Sequence, residues 1–129
     1  MALDPATLST EVLAFLAERH LASLTTLRTD GSPHVVPVGY SFDPVSRTVR
    51  IITFPSSVKY RNALRGGRAA VSQVDGGRWL TLEGVVSGTD DPARVALAVE
   101  GYTARYRLPG DRPDRVAIEI AVDKVLGRA

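Results

Sequence analysis

Cysteine is absent, and with it disulfides, thiolate metal sites and cysteine nucleophiles. That fits a reducing compartment, and the cytoplasm is the expected location. Histidine is scarce. His20 and His34 are the two imidazoles, too few for a multi-histidine site, so no metal is expected. Aromatic residues make up only 6%, which argues against the stacked platform of a nucleic-acid-binding small barrel. No apolar run approaches the roughly 20 residues of a membrane helix. The opening Met1-Ala2-Leu3-Asp4 has no basic stretch followed by a hydrophobic one, so no signal peptide is expected. Lysine is nearly missing too: Lys59 and Lys124 stand against fourteen arginines. Genomic base composition alone produces such a skew; the functional reading is that arginine favours planar anions and phosphates. The net charge of +2 is too small for bulk nucleic-acid binding.

What is present suits a folded domain. In 129 residues, 44% are hydrophobic and 23% charged, enough for one core and one domain over residues 1–129, without a second lobe. A site deep enough for a large ligand is then either shared with a partner chain or left open.

Hydrophobic spacing predicts a helix over 7–19, capped by Ser9, with Leu8 and Leu13 spaced as a staple and Leu8, Val12, Leu13 and Leu16 on one face. Strands are predicted over 20–28, 34–42 and 47–54. The first two are joined at an Asp30-Gly31 hairpin, and the three form a meander. A short helix over 58–65 closes at Gly66-Gly67, and strands resume over 68–75 and 78–87. Asp91-Pro92 opens a helix striped by Val95, Val99, Tyr102 and Tyr106. Alternation returns over 115–125. The expected fold is mainly β: six antiparallel strands with flanking helices, closed or nearly closed into a barrel that leaves few exposed edges.

The junction from Thr53 to Asn62 is the most informative stretch for chemistry. A strand ends where a short helix begins, and Ser56, Ser57, Lys59 and Arg61 add hydroxyl donors and positive charge. That collection suits a phosphate monoester, and it equally suits a serine-capped surface helix with solvated basic residues. Pro37, inside an otherwise good strand, marks an edge or a bulge. There, either a flat ring lies against the unpaired backbone or the barrel rim is simply irregular. Trp79, after Arg78, fits a core, an interface or a ligand wall. Glu83 either faces outward or pairs with an arginine. His20 and His34 read as surface or satisfied residues rather than acid–base catalysts. No nucleophile triad, phosphate-binding glycine loop or dinucleotide fingerprint can be assembled.

The order of these features carries a resemblance. The hairpin Asp30-Gly31-Ser32-Pro33-His34-Val35-Val36-Pro37-Val38 precedes a strand into Thr53 and then Ser57-x-Lys59-x-x-Asn62. The chain resembles the pyridoxamine-phosphate-oxidase-like flavin and deazaflavin family, which has an FMN-binding split β-barrel fold. The stretches 14–22, 73–84 and Arg105-Tyr106-Arg107 are similar to its small actinobacterial members that use coenzyme F420.

The resemblance implies a homodimer with two cofactor sites in grooves between protomers. It implies that Ser57, Lys59 and Asn62, helped by Ser56 and Arg61, hold the cofactor phosphate. Val36, Pro37, Val38, Ile52 and Thr53 would lie along the tricyclic ring, and Arg78 and Trp79 would reach the site near the interface. The chemistry implied is hydride transfer from reduced F420 to an unsaturated small-molecule acceptor such as a tetrapyrrole, with biliverdin to bilirubin as the first expectation. The arginines would suit the cofactor's phosphate and oligoglutamate tail or the propionates of a tetrapyrrole. An arginine or bound water, rather than a histidine, is expected to assist protonation. The alternatives are an FMN-binding oxidoreductase on the same barrel and a non-catalytic cofactor or tetrapyrrole carrier. The pyridoxamine oxidases carry a tryptophan and arginine motif near their C-terminus. Its lack here turns the expectation away from vitamin B6 oxidation.

Overall fold

A computed structural model describes residues 2–129. Strand β1 (Ala2–Leu3) precedes helix α1 (Thr10–Ala17), and strands β2 (Ala22–Leu27), β3 (Pro33–Val38), β4 (Ser41–Asp43) and β5 (Thr48–Thr53) follow. Helix α2 (Val58–Leu64) leads to β6 (Arg68–Asp75) and β7 (Arg78–Thr89). Helix α3 (Pro92–Arg105) and β8 (Val116–Arg128) end the chain. Among the described residues no helix is long and apolar enough to cross a membrane.

All six predicted strand regions are present, within an eight-stranded antiparallel sheet. The two additional strands have local causes. Ala2–Leu3 pairs with Leu126 and Val125 of β8, and the strand predicted over 34–42 splits at Gly39-Tyr40 into β3 and β4. The three-strand meander does not form. Along the sheet the order is β3-β2-β6-β7-β8-β5-β4, so the β2–β3 and β4–β5 hairpins sit at opposite ends. The pairings make an open path, as a split barrel does, rather than a closed ring. β3 is therefore an edge strand, where Pro37, opposite Ser23, can lack an N–H without leaving a ladder bond unmade.

Local chemistry sets the element ends. Ser9 Oγ accepts from the Val12 N–H at 3.2 Å, but α1 spans only Thr10–Ala17, shorter than the predicted 7–19. Its buried face is Val12, Phe15 and Leu16. Gly31 takes φ +84° in the β2–β3 turn, and Asp30 Oδ1 accepts from the Ser32 N–H at 3.0 Å. Asp91 caps α3 through the Arg94 N–H, with Pro92 in the first turn. Gly84 sits at the β7–β8 bulge, where an added Cβ would lie 1.8 Å from the Ala121 carbonyl oxygen; only glycine fits there.

The core joins α1 to the inner sheet face, with Phe15, Leu24, Val49, Leu82, Ile118 and Ile120 fully buried. A polar clamp crosses it. Gln73 accepts from the Tyr40 hydroxyl at 2.6 Å and from Arg105 at 2.7 Å, and it donates to the Phe15 carbonyl at 2.9 Å. The Arg105 guanidinium also donates to the carbonyls of Glu18 and Tyr40, each at 2.8 Å, and lies over the Tyr40 ring. This fastens the end of α3 to the α1–β2 turn and to the break between β3 and β4. Burial pushes the Tyr40 hydroxyl up to about 12, so it stays protonated and donates.

Candidate functional site

Two strands and two helices converge on an open cleft of about 240 Å³, lined by Pro37, Val38, Gly39, Ile51, Ile52, Lys59 and Tyr102. β3 and β5 supply its floor, where Val38 and Ile51 are buried in the core and main chain lies open beside Pro37 and Ile52; α2 brings Lys59, and α3 brings Tyr102. Gly39 permits the approach of α3. A Cβ there would lie 3.0 Å from Tyr102 Cε2 and 3.1 Å from Tyr106 Cε2, tighter than packed side chains tolerate without shifting. The two tyrosine rings lie 5.0 Å apart, and Tyr106 is tied by its hydroxyl to the His20 carbonyl and the Tyr40 N–H.

Lys59 is half-buried, and desolvation pushes its ammonium below the ordinary lysine range. Its Nζ lies 5.9 Å from the centre of the Phe54 ring. Among the described residues no carboxylate forms an ion pair with it; the ion pairs fall elsewhere, Lys124 pairing with Glu83 for example. A partly desolvated cation without a carboxylate partner, beside a strand floor of main chain, Pro37 and Ile52, has the chemistry to take an anion carried on a flat ring system.

The sequence-predicted residues divide into three groups. Pro37, Val38, Ile52 and Lys59 meet in the cleft, whereas Val36 packs on the core from the same strand. Thr53 and Ser57 meet at the strand-to-helix junction. The buried Thr53 hydroxyl donates to Ser57 Oγ at 2.9 Å, and Ser57 caps α2 by accepting from the Tyr60 N–H at 3.3 Å. Ser57 Oγ thus has its lone pairs engaged and keeps one proton to donate. Ser56 is exposed, and its carbonyl accepts from Arg61 at 2.9 Å. Asn62 is buried and bonded at both ends of its amide, to Thr26 at 3.0 Å and from Arg65 at 2.7 Å, which ties α2 to β2.

Arg78 and Trp79 do not line the Lys59 cleft. Arg78 bonds Glu18 at 2.6 and 3.0 Å and Asp75 at 2.5 Å, over the Phe15 ring. Its bonds to Glu18 hold that carboxyl below the usual range. Glu18, His20 and Asp75 place ligand atoms within 4.8 Å of one another, and Arg78 bonds both carboxylates. Trp79 pairs with Val74 across β6–β7, at the end of the outer sheet face. Glu83 pairs with Arg68 at 3.4 Å, as one of its two sequence readings had it.

Sequence reading missed Gly39 and treated Tyr102 only as part of a helix stripe. The available signal was the Gly39-Tyr40 interruption just after Pro37, which breaks an otherwise continuous alternation.

A family model described as pyridoxamine 5'-phosphate oxidase matches residues 8–129. A curated relative, the F420H(2)-dependent biliverdin reductase of Mycobacterium tuberculosis (strain CDC 1551 / Oshkosh), is 53% identical over 122 residues, covering 95% of this chain and 89% of the relative. A solved F420 reductase is 26% identical with a TM-score of 0.71, covering 88% of this chain and 94% of its own. A solved conserved hypothetical protein from Mycobacterium tuberculosis gives a TM-score of 0.78 at 21% identity, covering 95% of this chain and 85% of its own, a likeness of fold alone.

Proposed function

The chain belongs to the pyridoxamine 5'-phosphate oxidase family, and from that membership we propose that it is an F420H2-dependent reductase, with biliverdin or a related conjugated tetrapyrrole as acceptor. The observation that carries the reading is the partly desolvated Lys59, without a carboxylate partner among the described residues, at the rim of a cleft floored by β3 and β5. The 53% identity to a relative named for F420H(2) and biliverdin supports the choice of cofactor and acceptor within the family.

The residues present fit such a group. Lys59 supplies the cation for its phosphate, and Ser57 keeps a hydroxyl proton to donate beside it. Pro37 to Gly39 on one side and Ile51 with Ile52 on the other supply a bed of strand main chain with the Pro37 and Ile52 side chains, and Tyr102 closes it. When bound, reduced F420 supplies the hydride. The protein's part would be to seat the ring along β3 and β5 and to keep the phosphate end fixed through Lys59. Neither histidine lines this cleft, and the proton source we favour for the acceptor is an arginine from outside the lining or a bound water.

The reading includes a homodimer. On the outer face of β3, β2, β6 and β7, Val35, Thr25 and Ala70 stand opposite one another, with Leu27, Val74 and Val85 nearby. Val35 is 58% exposed, Val74 68% and Val85 54%. These apolar side chains share the face with the Arg68–Glu83 ion pair, a mixture that suits a partner, and the face runs to the edge strand that carries Pro37. A second copy placed there would wall the cleft and bring Trp79 into the interface. With no cysteine and this cofactor, the cytoplasm is the compartment we assign.

Titration of the purified protein with F420 and with FMN side by side tests the reading. F420 should bind and F420H2 should be oxidised when biliverdin is added. FMN that copurifies or displaces F420 would place the chain with the flavin members instead.

A further inference from the structure

A second cleft, of about 380 Å³, opens between α3 and the segment that leads into β8. It is lined by Pro92, Val95, Ala96 and Val99 on the helix side, by Arg112, Pro113 and Arg115 opposite, and by Asp90. Nothing in the reading above uses it. Yet it adjoins the Lys59 cleft through one side chain. The Arg112 guanidinium carbon lies 4.2 Å from the centre of the Phe54 ring, the ring that Lys59 also faces. Val99 and Tyr102 are one helical turn apart, so α3 walls both clefts with a single stripe.

The chemistry of this second cleft is amphipathic. Its helix wall is apolar and only half-covered: α3 buries Ala98 fully but leaves Val95 and Val99 partly open. Its opposite wall presents two guanidiniums. Arg115 donates to the Gly110 carbonyl at 2.6 Å and has no carboxylate partner among the described residues. Arg112 bonds Asp114 through Nε at 2.8 Å, which leaves its terminal nitrogens to donate. Asp90 is the acid in the lining, so the two arginines outnumber it. Such a cleft suits an apolar conjugated body with carboxylates on flexible arms, the arms reaching the guanidinium forks.

We propose that Arg112 and Arg115 form a carboxylate-recognition subsite for the acceptor, holding its acidic arms across Phe54 from the Lys59 cleft while its conjugated body reaches back towards that cleft. The inference rests on the reductase reading for the identity of the acceptor, but not for its test. Carboxylates could also come from an oligoglutamate tail on the cofactor, and the experiment separates the two sources.

The probes are biliverdin and its dimethyl ester, with binding followed by tetrapyrrole absorbance in the absence of cofactor. The proteins are wild type, Arg112→Gln, Arg115→Gln, the double variant, and the double lysine variant as a charge-conserving control. Wild type should bind the diacid about tenfold more tightly than the ester or better, and the double glutamine variant should lose that preference. Lysine at both positions should restore part of it. In parallel, F420 and its tail-less form are titrated into the same proteins, and the ratio of their affinities should not change. Equal binding of acid and ester by wild type overturns the proposal, as does an unchanged preference in the double variant. A loss confined to tailed F420 also overturns it, by assigning the arginines to the cofactor. Failure of wild type to bind either form of F420 while it still prefers the diacid would defeat the reductase reading and leave the subsite standing.

Discussion

The hydroxyl of Thr53, the last residue of β5, donates to the hydroxyl of Ser57, the cap of α2, at 2.9 Å. This bond is buried and spans the only turn between the strand that floors the cleft and the helix that carries Lys59. It makes the position of Lys59 a consequence of the sheet. Removing the donor by Thr53→Val should cost about 0.5–1.5 kcal/mol, and Ser57→Ala about 0.5–2 kcal/mol through the lost cap. Urea unfolding midpoints check both. F420 affinity should fall further for Ser57→Ala, which alone removes the free hydroxyl proton.

Lys59→Ala should weaken F420 binding more than about tenfold, through loss of a charge-assisted contact of about 1.5–3 kcal/mol. Unchanged affinity would put the phosphate elsewhere. The pH dependence has a definite sign. Burial lowers the pKa of free Lys59, and a bound phosphate favours its charged form. Affinity should therefore be full below that lowered pKa and decline as pH rises through it, earlier than for an exposed lysine. Lys59→Arg should hold its affinity over the same pH range.

Gly39→Ala would press a methyl group against Tyr102 and Tyr106, whose ring atoms lie 3.0 and 3.1 Å from the Cβ position. Overpacking of this kind costs about 1–3 kcal/mol. A narrowed cleft should weaken cofactor binding beyond what the lost stability explains. Pairing it with Tyr102→Ala should recover much of the stability, read from thermal unfolding.

Gln73→Leu should be among the most damaging substitutions away from the cleft. It leaves the Tyr40 hydroxyl and one Arg105 nitrogen without their Gln73 partner in the interior, at about 1–3 kcal/mol for each group so orphaned, and takes one donor from the Phe15 carbonyl, which keeps the Glu18 N–H at 3.2 Å. The denaturant midpoint should drop sharply, with the slope retained.

Val74→Glu tests the dimer. Val74 is 68% exposed in one protomer, so the charge should not disturb its folding. Sedimentation should show wild type as a dimer and the variant shifted towards monomer, with weakened F420 binding. A wild-type monomer that turns over would rule out the shared groove.

Acid stability should report the Arg78 cluster. The folded-state pKa of Glu18 is lowered, first by its hydrogen bond from Arg78. The stabilisation is thus complete above the ordinary glutamate pKa and is lost as pH falls through the lowered value. Arg78→Met should be less stable than wild type at neutral pH, and the gap should close in acid, as followed by circular dichroism.

Much of this molecule could be read locally. Ser9, Asp91 with Pro92, Asp30-Gly31 and Gly66-Gly67 act within a turn of where they stand, so they marked element ends without knowledge of the fold. Period-two alternation marked the strands, and the order of motifs from Asp30 to Asn62 pointed to the family. Tertiary pairing decided the rest, because alternation says which face of a strand is apolar but not which strand lies beside it. It sent β3 to the sheet edge, away from β5 along the ladder, and so made Pro37 admissible there. It engaged Arg78 with Glu18 and Asp75, and it buried Asn62 against Thr26. It also laid Tyr102 over Gly39, a contact between residues far apart in the chain, which exists because Arg105 and Tyr106 pin the end of α3 to the break between β3 and β4.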